Sequence, residues 1–229
     1  MDNLARWYDT IFADKPYTGE VAWLASLYGG DGPATVFDIG CGTGNHALAF
    51  QARGTRVWGT DLDADMLAVA EGKGVTTGEP PEPVDMAVAM FHVANYCNHV
   101  VDLDCLFAKS YEHTRPGGLF AFDVWDAELA YLDPPRWKEY EHDAGEYRVK
   151  RVSVPSMVSG DDQVTVSNDT TIWRLLPGRL SVVALFTWHY AHRLWSTYTL
   201  ADRLEVAGFA DIREPQPWGR RSVLFTAVR

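Results

Sequence analysis

Hydrophobic positions follow two different periods before and after residue 34. In residues 1–30 apolar side chains recur every three or four positions, which is the spacing of amphipathic helices, and Pro16 divides the stretch in two. The breaker Gly-Gly-Asp-Gly-Pro follows at 29–33. From residue 34 short apolar runs alternate with helical stretches, which is typical of a parallel α/β sheet.

The alternation predicts strands joined by helical crossovers, and such units build a doubly wound sheet. Strands are predicted at 35–39, 55–60, 75–77, 84–90 and 119–124, with helices at 45–53, 64–71 and 104–113.

This alternation ends after residue 126. Residues 136–193 are rich in Val, Thr, Tyr and Trp, and turn signals interrupt them at regular spacing. The pattern predicts about four antiparallel strands folded as one inserted sheet. A helix at 200–207 and a strand pair at 210–213 and 222–228 are predicted to follow.

Composition narrows the classes of protein that remain. The 229 residues include 20 Lys and Arg against 31 Asp and Glu, which gives a net charge of −11. We therefore expect neither nucleic acid nor an anionic membrane surface as a partner. Three cysteines without C-x-x-C spacing favour neither a disulfide framework nor a metal site. With no recognisable secretion signal or membrane-spanning run, a cytoplasmic protein is expected.

The segment VFDIGCGTGNH, residues 36–46, carries the strongest chemical signal. Gly40, Gly42 and Gly44 follow a buried strand and precede a helix. Glycine lets a ligand approach the bare backbone, and the free N–H groups of the helix face the same crevice. Asp61 ends the next strand, where a carboxylate can accept hydrogen bonds from both hydroxyls of a ribose.

Two classes of cofactor use a turn of this kind. A dinucleotide prefers G-x-G-x-x-G, with its pyrophosphate over the helix N-terminus. Here the glycines alternate, and Asp38 lies two residues before the first of them. An acidic group there repels a pyrophosphate and suits a cationic ligand, such as the sulfonium and amino group of S-adenosylmethionine.

Residues 34–125 resemble the core of class I S-adenosylmethionine-dependent methyltransferases. The string DIGCGTG at 38–44 resembles the first motif of that family, and TDLD at 60–63 resembles the second. Arg-Pro-Gly-Gly at 115–118, before the fifth strand, also resembles a sequence that recurs in the family. The resemblance implies a Rossmann-like, seven-stranded, mostly parallel sheet with a C-terminal antiparallel strand. It also implies S-adenosylmethionine as cofactor and S-adenosylhomocysteine as product.

The resemblance assigns residues to the cofactor. The backbone of Gly40, Cys41 and Gly42 is implied to contact the methionine part, with Asp38 orienting the loop and Asp61 binding the ribose. The further implied contacts are Leu62 and Met66 beside the adenine, Glu79 at its amino group, Met90 and Phe91 on the methionine side, Gly44 in the loop and Tyr8 in the closing N-terminal segment.

The Tyr-rich N-terminus and the inserted sheet narrow the resemblance to small-molecule methyltransferases of the amino-sugar N,N-dimethyltransferase and glycine N-methyltransferase type. In that type both segments cover the cleft. Tyr17 is implied to close over the acceptor, and His92, after the fourth strand, is a candidate to take a proton or orient the acceptor. The expected catalytic residues are thus His92 and Tyr17. Candidate acceptor-binding residues are Tyr17, Asn95, Trp125, His189 and His192.

Three units are expected from this resemblance. Residues 1–33 form a helical lid, residues 34–125 and 198–229 form the cofactor-binding core, and residues 126–197 form an inserted sheet over the acceptor. Five of the nine tryptophans fall in or beside that sheet. A homodimer is a further expectation, because exposed strands of the inserted sheet are able to pair across a two-fold axis. His189 and His192 alternate along one strand, and the sequence does not decide which of them faces inward.

The leading hypothesis is methyl transfer to an amine or hydroxyl of a small polar acceptor, such as a nucleotide-linked amino sugar or another secondary metabolite. An amine needs only to arrive unprotonated, whereas a hydroxyl usually needs a base or a metal. Three alternatives stay open: a non-catalytic binding or regulatory module, a nicotinamide-dependent oxidoreductase and a nucleic-acid methyltransferase. The intact glycine motif disfavours a non-catalytic module. The missing G-x-G-x-x-G spacing disfavours an oxidoreductase, and the negative net charge disfavours a nucleic-acid methyltransferase.

Overall fold

The computed structural model describes residues 3–157, 160, 162–213 and 215–229. Within them the chain forms two separate β-sheets and eight helices. The larger sheet contains β1 (Thr35–Ile39), β2 (Arg56–Thr60), β3 (Thr76–Thr77), β4 (Val84–Ala89), β5 (Thr114–Trp125), β10 (Gln216–Pro217) and β11 (Ser222–Val228). The smaller sheet contains β6 (Lys138–Ala144), β7 (Tyr147–Met157), β8 (Gln163–Leu176) and β9 (Arg179–Arg193).

The helices connect and cover these sheets. None of the helices in the described residues is long and apolar enough to cross a membrane. In chain order they are α1 (Asn3–Ile11), α2 (Tyr17–Tyr28), α3 (Asn45–Gln51), α4 (Ala64–Gly72), α5 (Val93–Tyr96), α6 (Val100–His113), α7 (Ala127–Leu132) and α8 (Thr197–Ala207).

The larger sheet has the strand order β10-β11-β5-β4-β1-β2-β3. Strands β3, β2, β1, β4 and β5 run parallel, and β11 pairs antiparallel with β5. The order reverses between β1 and β4, so the carboxyl ends of these strands flank the crevice where ligands bind in such sheets. The predicted doubly wound sheet of seven strands, with its C-terminal antiparallel strand and separate antiparallel insert, is confirmed.

The last strand pair differs from the prediction. The strand at 222–228 is present, but its neighbour at the sheet edge is Gln216–Pro217 and not 210–213. Ala210 makes only an isolated bridge with Val228. Asp211 has a positive φ of 45°, and this left-handed residue turns the chain out of the strand direction. Helices α5 and α7 were not predicted, because four and six residues are too few to show a helical period.

Both faces of the larger sheet are covered by apolar side chains. Neighbouring residues of one strand point to opposite faces, and Val36 and Phe37 accordingly belong to different clusters. Phe37, Phe107 and Phe122 are fully buried on one face. This packing fixes the carboxyl ends of the strands, where the candidate site lies.

Helix α1 joins the smaller sheet to the larger one. Trp7 and Ile11 of α1 are buried against Val149 of β7 and Ile172 of β8. Trp7 also stands edge-on to Tyr147, with ring centroids 5.1 Å apart. These contacts hold one face of the inserted sheet close to the carboxyl edge of the larger sheet.

Candidate cofactor and acceptor site

The glycine loop between β1 and α3 is hydrogen-bonded to the end of β2. The amides of Gly40 and Cys41 both donate to the Thr60 carbonyl, at 2.7 and 2.9 Å. Gly40, Gly42 and Gly44 all have positive φ, between 54° and 81°. A Cβ on Gly40 would lie 2.6 Å from Val93, whereas a Cβ on Gly42 would meet no protein atom within 4 Å. The face of Gly42 is therefore open to a ligand.

Asp61 lies beside this open face. Its Oδ2 accepts the Gly42 amide at 2.7 Å, and its Oδ1 accepts the Asp63 amide at 2.9 Å. Burial raises the pKa of Asp61, and the amides of Asp63 and Gly42 offset part of that effect. Each carboxylate oxygen has further acceptor capacity, so Asp61 can still receive two hydroxyl groups.

Asp38 is buried beneath the loop, with 1% of its surface exposed. Neither of its carboxylate oxygens makes a hydrogen bond of normal geometry within the described residues. Burial raises the pKa of Asp38 to about 6, against a lowering effect of His46. A buried carboxylate in this state is stabilised by any cationic group that enters the neighbouring crevice.

The N-terminal helix is fastened directly to the glycine loop. Asp9 of α1 accepts hydrogen bonds from Thr43 Oγ1 at 2.6 Å and from Asn45 Nδ2 at 2.8 Å. Its other oxygen pairs with Lys73 Nζ at 2.7 Å. This attachment places Tyr8 next to the crevice. The pKa of Tyr8 is raised by burial and by the nearby Tyr17, Tyr96 and Asp61.

The turn after β4 has an uncommon backbone. Phe91 and His92 both have left-handed φ values, 68° and 67°, although neither is glycine. Asp123, in β5, holds this conformation by accepting the Phe91 amide at 2.5 Å and the His92 amide at 3.2 Å. Non-glycine residues held in this region cluster at functional sites.

Among the described residues, the His92 side chain has its polar contacts through one ring nitrogen, Nε2. Nε2 lies 2.9 Å from Ser222 Oγ and 3.2 Å from Asp123 Oδ2. Serine and carboxylate thus face the same nitrogen, unlike a hydrolytic triad, in which they face opposite nitrogens. Burial lowers the pKa of His92 below its usual value of 6.5, although Asp123 opposes this effect. The imidazole is therefore neutral at pH 7 and able to accept a proton.

A cavity of about 300 Å³ opens beside His92. It lies between the turn after β4, the end of α1 and strands β6 and β7. Its lining combines aromatic rings with groups of both charges. The lining residues are Ile11, Phe12, Asp14, Lys15, Glu20, Phe91, His92, Asp123, Tyr140, His142, Arg151, Trp218, Gly219 and Ser222.

Glu20 is the centre of a small polar cluster at this cavity. Its carboxylate pairs with Lys15 Nζ and lies 2.7 Å from His46 Nε2. Burial raises the pKa of Glu20, but the hydrogen bonds from His46 and Lys15 outweigh it and lower the pKa. Tyr17 stands edge-on to His46, with centroids 4.9 Å apart, so its ring borders the same cluster. Tyr17 is thus near the glycine loop and near the cavity.

None of the predicted acceptor residues is among the described residues that line the cavity. His189 is exposed on the outer face of β9, whereas His192 is buried on the inner face. Asn95 is buried, and its amide group binds the Trp125 backbone and donates to the Arg193 carbonyl at 2.7 Å. Asn95 therefore connects α5, β5 and β9. Trp125 is half-buried, with its ring 5.8 Å from His92.

His192 has an unusual environment. It is 3% exposed, and neither of its ring nitrogens has a hydrogen-bond partner within the described residues. Its ring packs against Tyr190 and Tyr96 with centroid distances of 4.6 and 4.7 Å. Burial lowers the pKa of His192 well below its usual value, so the ring is neutral at pH 7.

Most predicted cofactor residues are brought together, and Glu79 is not. Glu79 pairs with Lys109 and His113 in the second half of α6. That helix leads into the start of β5, so its second half lies toward the amino ends of the parallel strands, away from the glycine loop. Around the loop and the adjoining strand ends lie Tyr8, Asp38, Gly40, Cys41, Gly42, Gly44, Asp61, Leu62, Met66, Met90 and Phe91.

Individual exposures differ widely within that group. The Leu62 side chain is fully exposed, at 106%, on the rim of the crevice, while Met66 is buried in α4. Met90 is buried in the core cluster on one face of the sheet. The Cys41 thiol is buried, and burial raises its pKa, so it is not a reactive thiolate.

Several cavity residues carry no signal in the sequence that identifies them. These are Phe12 and Lys15 in the α1–α2 connection, Glu20 in α2, Tyr140 in β6 and Arg151 in β7, so two segments of the chain more than 100 residues apart supply them. Periodicity placed helices at the N-terminus and strands in the insert. It did not indicate how α1 and the insert pack together, and that packing creates the cavity.

Known proteins share sequence and fold with this chain. The family profile described as a methyltransferase domain matches residues 13–214. A dTDP-3-amino-3,4,6-trideoxy-alpha-D-glucopyranose N,N-dimethyltransferase of Streptomyces venezuelae is 26% identical over 131 residues, covering 52% of this chain and 55% of that protein. The chain spans about half the length of the curated relatives it matches.

Two solved structures share the fold over nearly the whole chain. DesVI of Streptomyces venezuelae has a TM-score of 0.84 and 21% identity, covering 100% of this chain and 99% of DesVI. CalS10, an amino pentose methyltransferase of Micromonospora echinaspora solved with S-adenosylmethionine, has a TM-score of 0.77 and 20% identity. That match covers 97% of this chain and 96% of CalS10.

The chain therefore belongs to the methyltransferase domain family, because the family profile covers most of its length. The recognition of a class I S-adenosylmethionine-dependent methyltransferase is confirmed. The Rossmann-like fold expected from the sequence is confirmed as well.

Replacing Gly42 by alanine tests whether its open face is a ligand site. We expect Gly42→Ala to fold, because the added methyl group meets no protein atom. We expect it to bind S-adenosylhomocysteine at least 10-fold more weakly, because that methyl group occupies the space assigned to the ligand. Gly54→Ala is the matched control, since Gly54 also has a positive φ and open surroundings but lies in the turn after α3. Both substitutions carry a similar backbone strain of about 1 kcal/mol. Calorimetry measures affinity, and equal losses in the two variants would contradict the assignment.

Proposed function

We propose that this protein transfers a methyl group from S-adenosylmethionine to the amino group of a small polar metabolite, with amino sugars of secondary metabolism as the leading acceptor class. One observation carries the proposal. A cavity lined by carboxylates and aromatic rings opens at His92, on the same sheet edge as the glycine loop and Asp61. The names of the two methyltransferases that act on an amino sugar and an amino pentose support the acceptor class.

The residues at the glycine loop fit S-adenosylmethionine. The open face of Gly42 admits a ligand against the backbone, and Asp61 offers acceptors for two ribose hydroxyls. The buried Asp38 supplies the negative charge that a cationic cofactor requires. Leu62 and Met66 provide apolar surface for the adenine. When bound, S-adenosylmethionine supplies an electrophilic methyl group, so alignment and exclusion of water account for much of the rate.

The N-terminal helix and the inserted sheet serve as the lid of the site. Asp9 holds α1 on the glycine loop, and Trp7 and Ile11 hold it on the inserted sheet. This double attachment places Tyr8 and Phe12 over the crevice and excludes water. We leave Glu79 and His189 out of the site, because ion pairs occupy the first and the second faces outward.

The acceptor is held on the His92 side of the cavity. Asp123 fixes the turn that carries His92, and Glu20 and Asp123 add negative charge that attracts an amine. His92 is neutral and takes the proton that an amine must lose. Trp125 and His192, whose rings lie 5.8 and 5.9 Å from that of His92, form the outer layer of its wall, and Tyr17 borders the Glu20–His46 cluster. Asn95 positions this wall through its backbone hydrogen bonds.

A methyl-transfer assay with paired acceptors tests the proposal. Labelled S-adenosylmethionine is incubated with amino sugars, free and nucleotide-linked, and with the same sugars carrying a hydroxyl in place of the amine. We expect product only from the amines. Transfer only to the hydroxyl sugars would contradict the amine assignment. Binding of S-adenosylhomocysteine without any transfer across the panel would favour a non-catalytic module.

A further inference from the structure

Arg151 is the most distinctive group in the wall of the cavity. It lies in β7 on the face that carries Val149, which packs against α1. Its guanidinium carbon is 4.8 Å from the ring centroid of Phe12 and 4.3 Å from that of Tyr140. Tyr140 is also the residue directly opposite Arg151 in the β6–β7 pair. Two aromatic rings therefore hold the guanidinium in a defined position.

Among the described residues no carboxylate lies within ion-pair distance of this guanidinium, and Asp14, in the same cavity, acts on it only at longer range. The Arg151 side chain makes no hydrogen bond to another described residue, and its Nε is buried without an acceptor. By contrast, Lys15 in the same cavity is paired with Glu20. A buried donor without a partner is costly, and a guanidinium stays charged at any ordinary pH.

The cavity therefore has charges of opposite sign in its wall. Asp123 and Glu20 supply carboxylates near His92, and Arg151 supplies an unpaired cation on the inserted sheet. A planar guanidinium fork matches the oxygens of a carboxylate or a phosphoryl group. An acceptor with an amine at one end and an anionic group at the other satisfies both sides.

We infer that Arg151 binds an anionic group of the acceptor, a carboxylate or a phosphoryl group, and so selects acceptors that carry both an amine and an anion. This inference rests on the proposed function, because it places the acceptor in the cavity beside His92. It makes Arg151 a specificity-determining residue. Bare amines and neutral amino sugars are then poor acceptors.

Calorimetry on the full chain saturated with S-adenosylhomocysteine tests the inference. The probes are inorganic pyrophosphate for the phosphoryl group and succinate for the carboxylate. The variants are Arg151→Met, which keeps an apolar chain between the two rings, and Lys150→Met as matched control. Lys150 is the neighbouring residue on the opposite face and pairs with Glu139. Thermal unfolding of each variant confirms that it is folded.

We expect at least one probe to bind the wild-type protein and to bind Arg151→Met at least 10-fold more weakly, with Lys150→Met unchanged. The probe that binds more tightly identifies the anionic group. The inference is overturned if neither probe binds, if Arg151→Met keeps wild-type affinity, or if Lys150→Met loses as much. It is also overturned if Arg151→Met binds S-adenosylhomocysteine itself more weakly, since Arg151 would then belong to the cofactor site.

The same titrations separate failure of this inference from failure of the proposed function. If the wild-type chain does not bind S-adenosylhomocysteine, the proposed function fails first. If S-adenosylhomocysteine binds and labelled methyl reaches an amine while both anions are ignored, only the role of Arg151 is wrong.

Discussion

Asp61→Ala is expected to bind S-adenosylhomocysteine about 100-fold more weakly than the wild-type chain, as measured by calorimetry. The carboxylate of Asp61 ends β2 beside the open face of Gly42 and has room to accept two ribose hydroxyls. Hydrogen bonds to a charged group contribute roughly 1.5–3 kcal/mol each. A 100-fold loss corresponds to about 2.8 kcal/mol, so it requires only the lower end of that range for two bonds.

Asp63→Asn is the matched control for this loss. Asp63 lies two residues later and caps α4 by accepting the Asp65 and Met66 amides. Asparagine keeps that cap and removes the same charge, so affinity is expected to stay within about threefold. Because Asp61 also accepts the Gly42 amide, Asp61→Asn is included to retain one oxygen. Wild-type affinity in both Asp61 variants would show that the ribose lies elsewhere.

His92→Asn is expected to lower kcat for methyl transfer by about 100-fold at pH 7, because general bases contribute roughly 10²–10⁴-fold. Asparagine tolerates the left-handed backbone of this position, so the turn after β4 is preserved. The asparagine amide cannot take a proton from the acceptor. Affinity for S-adenosylhomocysteine is expected to change less than threefold, which separates loss of the base from collapse of the site.

The pH profile gives a second test of His92. Its pKa is lowered below 6.5 by burial, so the neutral form prevails at pH 7. Activity is therefore expected to fall as the pH drops through that lowered pKa, because the protonated ring accepts no proton. This contribution to the acid limb disappears in His92→Asn. His99→Gln, at an exposed residue before α6, is expected to keep the wild-type profile. An unchanged profile in His92→Asn would contradict the proposed base.

The cofactor half of the site was accessible from the sequence because it is local. The glycine loop and the end of β2 are built from neighbouring residues of one β-α-β unit, where spacing alone fixes the relation of Gly42 to Asp61. The assignment of Glu79 rested on chain order after β3. The short Pro-rich connection instead turns Glu79 toward Lys109 in α6.

The acceptor half required the tertiary structure. The cavity forms where the end of α1, the turn at His92 and the inserted sheet meet, and no local period encodes that meeting. Strand alternation correctly placed His189 and His192 on opposite faces of β9. Packing against α5 and β5 decides that His192 is the buried one. The structural role of Asn95 could not be predicted for the same reason, since its partners Trp125 in β5 and Arg193 at the end of β9 are remote in sequence.

A crystal structure of the S-adenosylhomocysteine complex tests the central claim most directly. We predict that the ribose hydroxyls lie within hydrogen-bond distance of Asp61, that the homocysteine chain lies along Gly42, and that the sulfur points into the cavity beside His92. A sulfur that faces away from this cavity, or a ligand bound away from the glycine loop, would contradict the account.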